Sequence, residues 1–184
     1  MIRTLVLFLV AYMLFAVSGF GQANTELDYK LLATTRTKTM QKELDEAAAL
    51  GFRVIVGAPT SGSEMAVFLS NEGSPEAPYS YKLLATTRTG TMQKELNEMA
   101  DAGYRLIPST MIAKQQLIGG VEIVLIMEKP PGKAPLFEYK LLATSRTSTL
   151  QKEVTEAKEA GFVIVGMVSR DEHMVIMERP VPLP

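Results

Sequence analysis

The sequence predicts an α+β protein of three tandem β-α-β-β modules, about nine strands and three helices in one compact body, behind an N-terminal signal peptide. Three observations carry this reading. Tyr29 to Glu43 (YKLLATTRTKTMQKE), Tyr81 to Glu95 (YKLLATTRTGTMQKE) and Tyr139 to Glu153 (YKLLATSRTSTLQKE) are identical in twelve of fifteen columns, and such self-similarity marks repeated structural units. Each copy runs on into apolar residues at helical spacing that stop at a glycine. Each then closes with two short β-rich runs.

Taken in order, the chain opens with Arg3, an apolar run from Leu5 to Val17, and small or polar residues around Phe20 with Gly21 and Ala23 before a cut. That is the layout of a secretory signal peptide over residues 1–23. Its apolar core is shorter than the roughly 20 residues a bilayer crossing needs. The expectation is an exported product, periplasmic or secreted, after cleavage near Ala23, with no membrane span in the mature chain. There is no cysteine, so disulfides and thiol chemistry are excluded, and the lack of one near the cut argues against a lipid-anchored lipoprotein.

Within each module the opening stretch alternates, with Tyr29, Leu31, Ala33 and Thr35 on one face and Lys30, Leu32, Thr34 and Arg36 on the other, which is the period of a strand. Met40, Leu44, Ala47 and Ala48 then define a helix stripe that Gly51 closes, as do Met92, Leu96, Met99 and Ala100 before Gly103, and Leu150, Val154 and Ala157 before Gly161. Each helix spans about eleven residues. Thr39 and its counterparts read as N-caps, and Ser148 to Gln151 fits the capping-box spacing. The segments FRVIV, YRLI and FVIV, and the closing runs MAVFL, VEIVLIM and HMVIM, are β-branched, aromatic and too short for helices. A helix between the first two strands makes them parallel, and the third returns antiparallel through a hairpin.

Module boundaries fall at 24–73, 79–130 and 136–180, with Pro-containing connectors between them and a Pro-rich tail at 181–184. A unit of this size buries too little to fold alone without disulfides or metal, so the modules must share sheet edges or helix faces. Joined sheets and a sheet closed on itself both satisfy that need.

The repeated stretch also holds the candidate site residues. Identity drops to two columns, those of Glu46 and Gly51, in the thirteen that start at Leu44, so the first half is held by more than a need for apolar type. Hydroxyls and an arginine gathered where a helix begins suit a phosphate, sulfate or carboxylate. Lys30, Arg36, Thr37 and Thr39 form the first such set. Lys82, Arg88, Thr89 and Thr91, and Lys140, Arg146, Thr147 and Thr149, form the others. The competing explanation is architectural: an interface made three times demands the same residues three times. In that case Arg36 pairs with Glu43 or with an acid of the neighbouring module.

Other features point less to chemistry. A single histidine, His173, without cysteine supports neither a zinc site nor a nucleophilic triad. Glu43 and Glu46 read as a solvated face, with Lys42 and Glu46 as an i,i+4 pair. The 19 basic and 20 acidic residues leave no basic excess, which argues against nucleic acid. No cofactor motif occurs. In the longer second module, Met111, Ile112, Leu117 and Ile118 mark either a partner contact or extra strand packed on the same body.

An aromatic-Lys strand start, a short helix, Gly-aromatic and two apolar strands resemble a family of small bacterial β-α-β-β domains of unknown function. The resemblance implies the module fold and carries no activity, cofactor or catalytic residue. The leading expectation is therefore a non-enzymatic structural or interaction module of the cell envelope, with an unknown protein partner. The alternative is a binder of small anions at the three helix starts.

Overall fold

The computed structural model describes residues 28–72, 76–116 and 119–182. The segment read as a signal peptide lies outside them, as do Leu117 and Ile118. The fold is α+β, with three β-α-β-β units in chain order. The first contains β1 (Tyr29–Thr34), α1 (Thr37–Ala49), β2 (Arg53–Pro59) and β3 (Met65–Ser70). The second contains β4 (Ser80–Thr86), α2 (Thr89–Asp101), β5 (Arg105–Leu106), a 3₁₀ turn (Pro108–Thr110), β6 (Ile112–Gln115) and β7 (Val121–Lys129). The third contains β8 (Phe137–Thr144), α3 (Thr147–Glu159), β9 (Val163–Ser169) and β10 (His173–Pro180).

Ten strands replace the expected nine because Pro108 interrupts the second strand of the second module: without an N–H it cannot continue the ladder, and the chain passes through the 3₁₀ turn into β6. Met111 and Ile112 belong to this detour and pack inside the body, Ile112 in the core of the first module and Met111 against that of the second. The expected strand direction holds, but the neighbours differ. The closing strand takes the centre in the orders β1-β3-β2, β4-β7-β5 and β8-β10-β9, antiparallel to both flanks, so the first two strands run parallel without touching.

The helices are 13 residues long, two more than expected, because they start earlier. The N-cap is Arg36, Arg88 or Arg146 in extended conformation, and no side chain caps the helix. Thr39, Thr91 and Thr149 instead sit in the first turn, and Ser148 lies inside α3. The hydroxyls of Thr34, Thr86 and Thr144 make the local turn, each accepting the N–H of the arginine two residues on at 3.1–3.2 Å. The C-termini match expectation. Gly51, Gly103 and Gly161 have φ of 86°, 90° and 87°, and Gly51 N–H and Phe52 N–H reach back to Ala48 O and Ala47 O, a Schellman closure repeated in all three modules.

The modules neither join their sheets nor close one sheet. They stack. Helix α1 lies between its own sheet and the next: Met40 and Leu44 share a core with Leu32, Val67 and Leu69 of the first module and with Tyr81, Val124 and Ile126 of the second. Helix α2 repeats this, with Met92 and Leu96 between Leu84 and Leu125 on one side and Tyr139 and Ile176 on the other. Because β7 and β10 are covered on both faces, five consecutive residues are buried in each, whereas β3 alternates from Met65 to Leu69. No helix of the described residues is long and apolar enough to cross a membrane.

Candidate functional site

The strand-to-helix turns hold most of the predicted residues. Arg36, Arg88 and Arg146 are exposed, and their main chains do the visible work: each carbonyl accepts the N–H four residues on, at 3.0–3.1 Å. Their guanidinium groups form no hydrogen bond or ion pair among the described residues, so the expected pairing with Glu43 or a neighbouring acid is not found. Lys30 lies over the Phe52 ring, 5.7 Å from its centroid. Lys82 is exposed, and Lys140 is half-buried.

The next module covers the first two turns. Buried Lys114 reaches back from β6, its Nζ donating to Thr35 O at 3.1 Å while it pairs with Glu122 at 3.2 Å. One module further on, Arg170 donates to Thr87 O at 2.6 Å and to Thr89 Oγ1 at 3.0 Å. The Thr89 hydroxyl in turn donates to Glu172 at 2.8 Å. That bond, followed by the charge of Arg170, holds the Glu172 carboxyl below its ordinary value. A hairpin cation thus satisfies the turn carbonyl of the preceding module twice. The helix starts do not converge: Arg36, Thr37 and Lys38 line a cavity of about 640 Å³ with Lys114 and Glu122, and neither Arg88 nor Arg146 reaches it.

The densest polar geometry lies instead at the two seams between modules, on residues outside the predicted sets. In the first seam Gln41 Nε2 donates to Tyr81 O at 3.0 Å and its Oε1 accepts from Leu83 N–H at 2.8 Å. In the second, Gln93 does the same to Tyr139 O and Leu141 N–H at 2.9 and 2.6 Å. One side-chain amide imitates a neighbouring strand and so blocks the free edges of β4 and β8. Asn97 adds a second pair, to Tyr139 O and from Tyr139 N–H.

Below these amides, the Tyr81 hydroxyl accepts Val54 N–H at 3.1 Å and that of Tyr139 accepts Leu106 N–H at 2.8 Å. Burial is the chief reason both phenols are pushed up, Tyr81 to about 12. At the rim, Arg53 grips Glu128 and Arg105 grips Glu178 through two nitrogens each, with closest approaches of 2.7 and 2.5 Å. The same arginines lie over the rings of Tyr79 and Phe137, 4.5 and 4.1 Å from the centroids. Hydrogen bonding to the carboxylates raises both guanidinium values. Near neutral pH the phenols stay neutral and the guanidiniums stay charged. The signal for Tyr and Gln stood in the sequence, since both recur in every copy; which surface they met did not.

His173 opens β10 and is hydrogen bonded to the Ser169 hydroxyl through Nδ1 at 3.1 Å. The exposed pairs Lys42–Glu46, Lys94–Glu98 and Lys152–Glu156 lie along the helices at i,i+4. Among the described residues no group of three or more His, Cys, Asp or Glu side chains is placed to hold a metal ion. Compared with protein-family models, with curated proteins and with solved structures, the chain matches none.

Proposed function

We propose that this chain is a non-enzymatic interaction module, exported and acting in the bacterial cell envelope. One observation supports the reading most: the repeated polar residues Gln41, Gln93, Tyr81 and Tyr139 are engaged in joining one module to the next. The layout of residues 1–23 supports export.

The competing reading, small-anion binding at the helix starts, draws on the unpaired guanidiniums of Arg36, Arg88 and Arg146. A thermal-unfolding titration with phosphate, sulfate and acidic sugars decides between them. An anion at 100 times its dissociation constant stabilises by about 2.7 kcal/mol. The expected result is no shift, in the parent and in the variant carrying Arg36→Lys, Arg88→Lys and Arg146→Lys alike. A shift in the parent that the variant loses overturns the interaction reading. Export is tested by fusing residues 1–23 to a reporter enzyme active only outside the cytoplasm; a silent fusion rejects the envelope assignment.

A further inference from the structure

The two ends of the stack carry the two unmated halves of its internal seam. Each sheet has one face under its own helix, and in the second and third modules the other face receives the helix of the module before it. On β4 and β7 the second face is Tyr81, Leu83 and Ile126; on β8 and β10 it is Tyr139, Leu141 and Ile176. The register places Tyr29, Leu31 and Phe68 at the same positions of the first module, where no other module packs among the described residues. Tyr29 is 64% exposed against 1% for Tyr81 and 2% for Tyr139, and Phe68 is 46% exposed where Ile126 and Ile176 are fully buried.

At the other end, α3 packs on no second sheet among the described residues. Its Gln151, counterpart of Gln41 and Gln93, is exposed and reaches only Thr155 on its own helix. Ile164 stands where Val54 and Leu106 stand, and it is 56% exposed against 6% and 3%. Val163 and Met167 beside it are exposed as well.

A stack that ends in solvent is expected to carry polar outer faces. Here both ends expose large apolar side chains, Tyr29, Leu31 and Phe68 at one and Val163, Ile164 and Met167 beside the polar face of α3 at the other, and the seam's ion pair is missing from both together. Val163 occupies the position of Arg53 and Arg105, and Ser70 that of Glu128 and Glu178. Bringing α3 and β9 onto β1 and β3 would therefore bury neither half of that ion pair alone, and Lys158, which stands where Ala48 and Ala100 are buried, would run its stem along the contact with its ammonium in water. It would set Gln151 opposite Tyr29 O and Leu31 N–H on the open edge of β1, the same two groups that Gln41 and Gln93 satisfy on β4 and β8.

We propose that the chain associates head to tail with further copies of itself, the third module of one copy docking on the first module of the next by the geometry of its internal seams. The contact is heterologous, so it propagates as a filament or closes as a ring. This rests on reading the chain as an interaction module.

The test uses protein purified after expression of the full sequence, by sedimentation velocity over a concentration series. The expected result is a mass that rises above one chain. Phe68→Asp breaks the head and Ile164→Asp breaks the tail. Both sites are exposed, and an unchanged unfolding midpoint verifies the fold. Each variant alone should remain monomeric, whereas an equimolar mixture should form a 1:1 dimer and go no further, because it contains one intact head and one intact tail. Three results overturn the proposal: a parent that stays monomeric, oligomers that survive both substitutions, or a mixture that does not pair. A monomer that also shows no thermal shift with anions removes self-association and leaves the interaction reading standing. An anion-dependent shift removes that reading itself.

Discussion

The Tyr139 hydroxyl accepts the main-chain N–H of Leu106 at 2.8 Å across the second seam and donates to Glu178 at 3.1 Å. One buried oxygen thus ties the closing strand of the third module to the broken strand of the second. Tyr139→Phe keeps the ring and leaves the Leu106 N–H without its partner, a loss of about 1–3 kcal/mol. Tyr81→Phe acts likewise on Val54 in the first seam. Tyr29→Phe, at the exposed equivalent position, should stay within about 0.5 kcal/mol. Urea unfolding of the three variants at low protein concentration checks the ranking; equal effects at all three positions would remove the seam from the explanation.

The same burial predicts an alkaline limit. A buried phenol resists ionisation, so the folded value for Tyr81 lies near 12, above the ordinary 10. A folded value above the unfolded one gives stability that is complete below pH 10 and is lost as pH climbs through 12. Stability should therefore be flat toward pH 10 and fall above it, with phenolate absorbance from Tyr81 and Tyr139 appearing together with unfolding. Tyr81→Phe should make that fall shallower while lowering stability at neutral pH. A phenolate signal for these two residues at pH 10 in folded protein would contradict the assignment.

Gln93 offers a second internal comparison. Its amide satisfies Tyr139 O and Leu141 N–H at half-buried positions, and Gln93→Ala strips both, for an expected loss of about 1–3 kcal/mol. Gln41→Ala should behave similarly, although it lacks the Asn97 pair that shares the Tyr139 carbonyl. Gln151→Ala touches only an exposed contact within its helix and should be neutral in dilute monomer. Chemical unfolding of the three variants side by side gives the answer. A loss at Gln151 equal to that at Gln93 would mean the glutamines serve their helices and not the seams.

What was legible in the sequence follows from which forces are local. The helix stripe ending in Leu44 and Ala47, and the left-handed Gly51, report on neighbours a few residues away, so the helices and their ends could be read. The helix start was misplaced because threonines stand at 34, 37 and 39, and only the structure shows that Thr34 makes the turn while Arg36 caps through its main chain. Strand order was hidden because pairing is non-local. Its trace was the unbroken apolar run of β7, which a strand covered on both faces requires. Pro108 carried the signal for the interruption of the second strand, which the expectation of nine strands passed over. The role of Gln41 needed the position of Tyr81, forty residues on, and no periodicity contains that.

The Arg105–Glu178 pair shows why the charges at the seams belong together. Glu178 is buried and Arg105 is half-exposed, so the acid depends on the guanidinium while the guanidinium retains access to water. Arg105→Met leaves a buried carboxylate with only the Tyr139 hydroxyl as donor, a loss of about 3–5 kcal/mol for fully buried pairs and less here because that bond remains and solvent still reaches the site. Glu178→Met leaves an arginine that can turn outward, so it should cost less. The double variant should be more stable than Arg105→Met alone, since two apolar side chains can fill a site from which the unpaired charge has gone. A double-mutant cycle by denaturant unfolding measures the coupling directly. If the two losses simply add, the pair is a surface ornament, and the joint absence of Arg and Glu at Val163 and Ser70 loses its energetic reason. Strong coupling would mean that neither charge persists where the other is missing, as at the two ends of the stack.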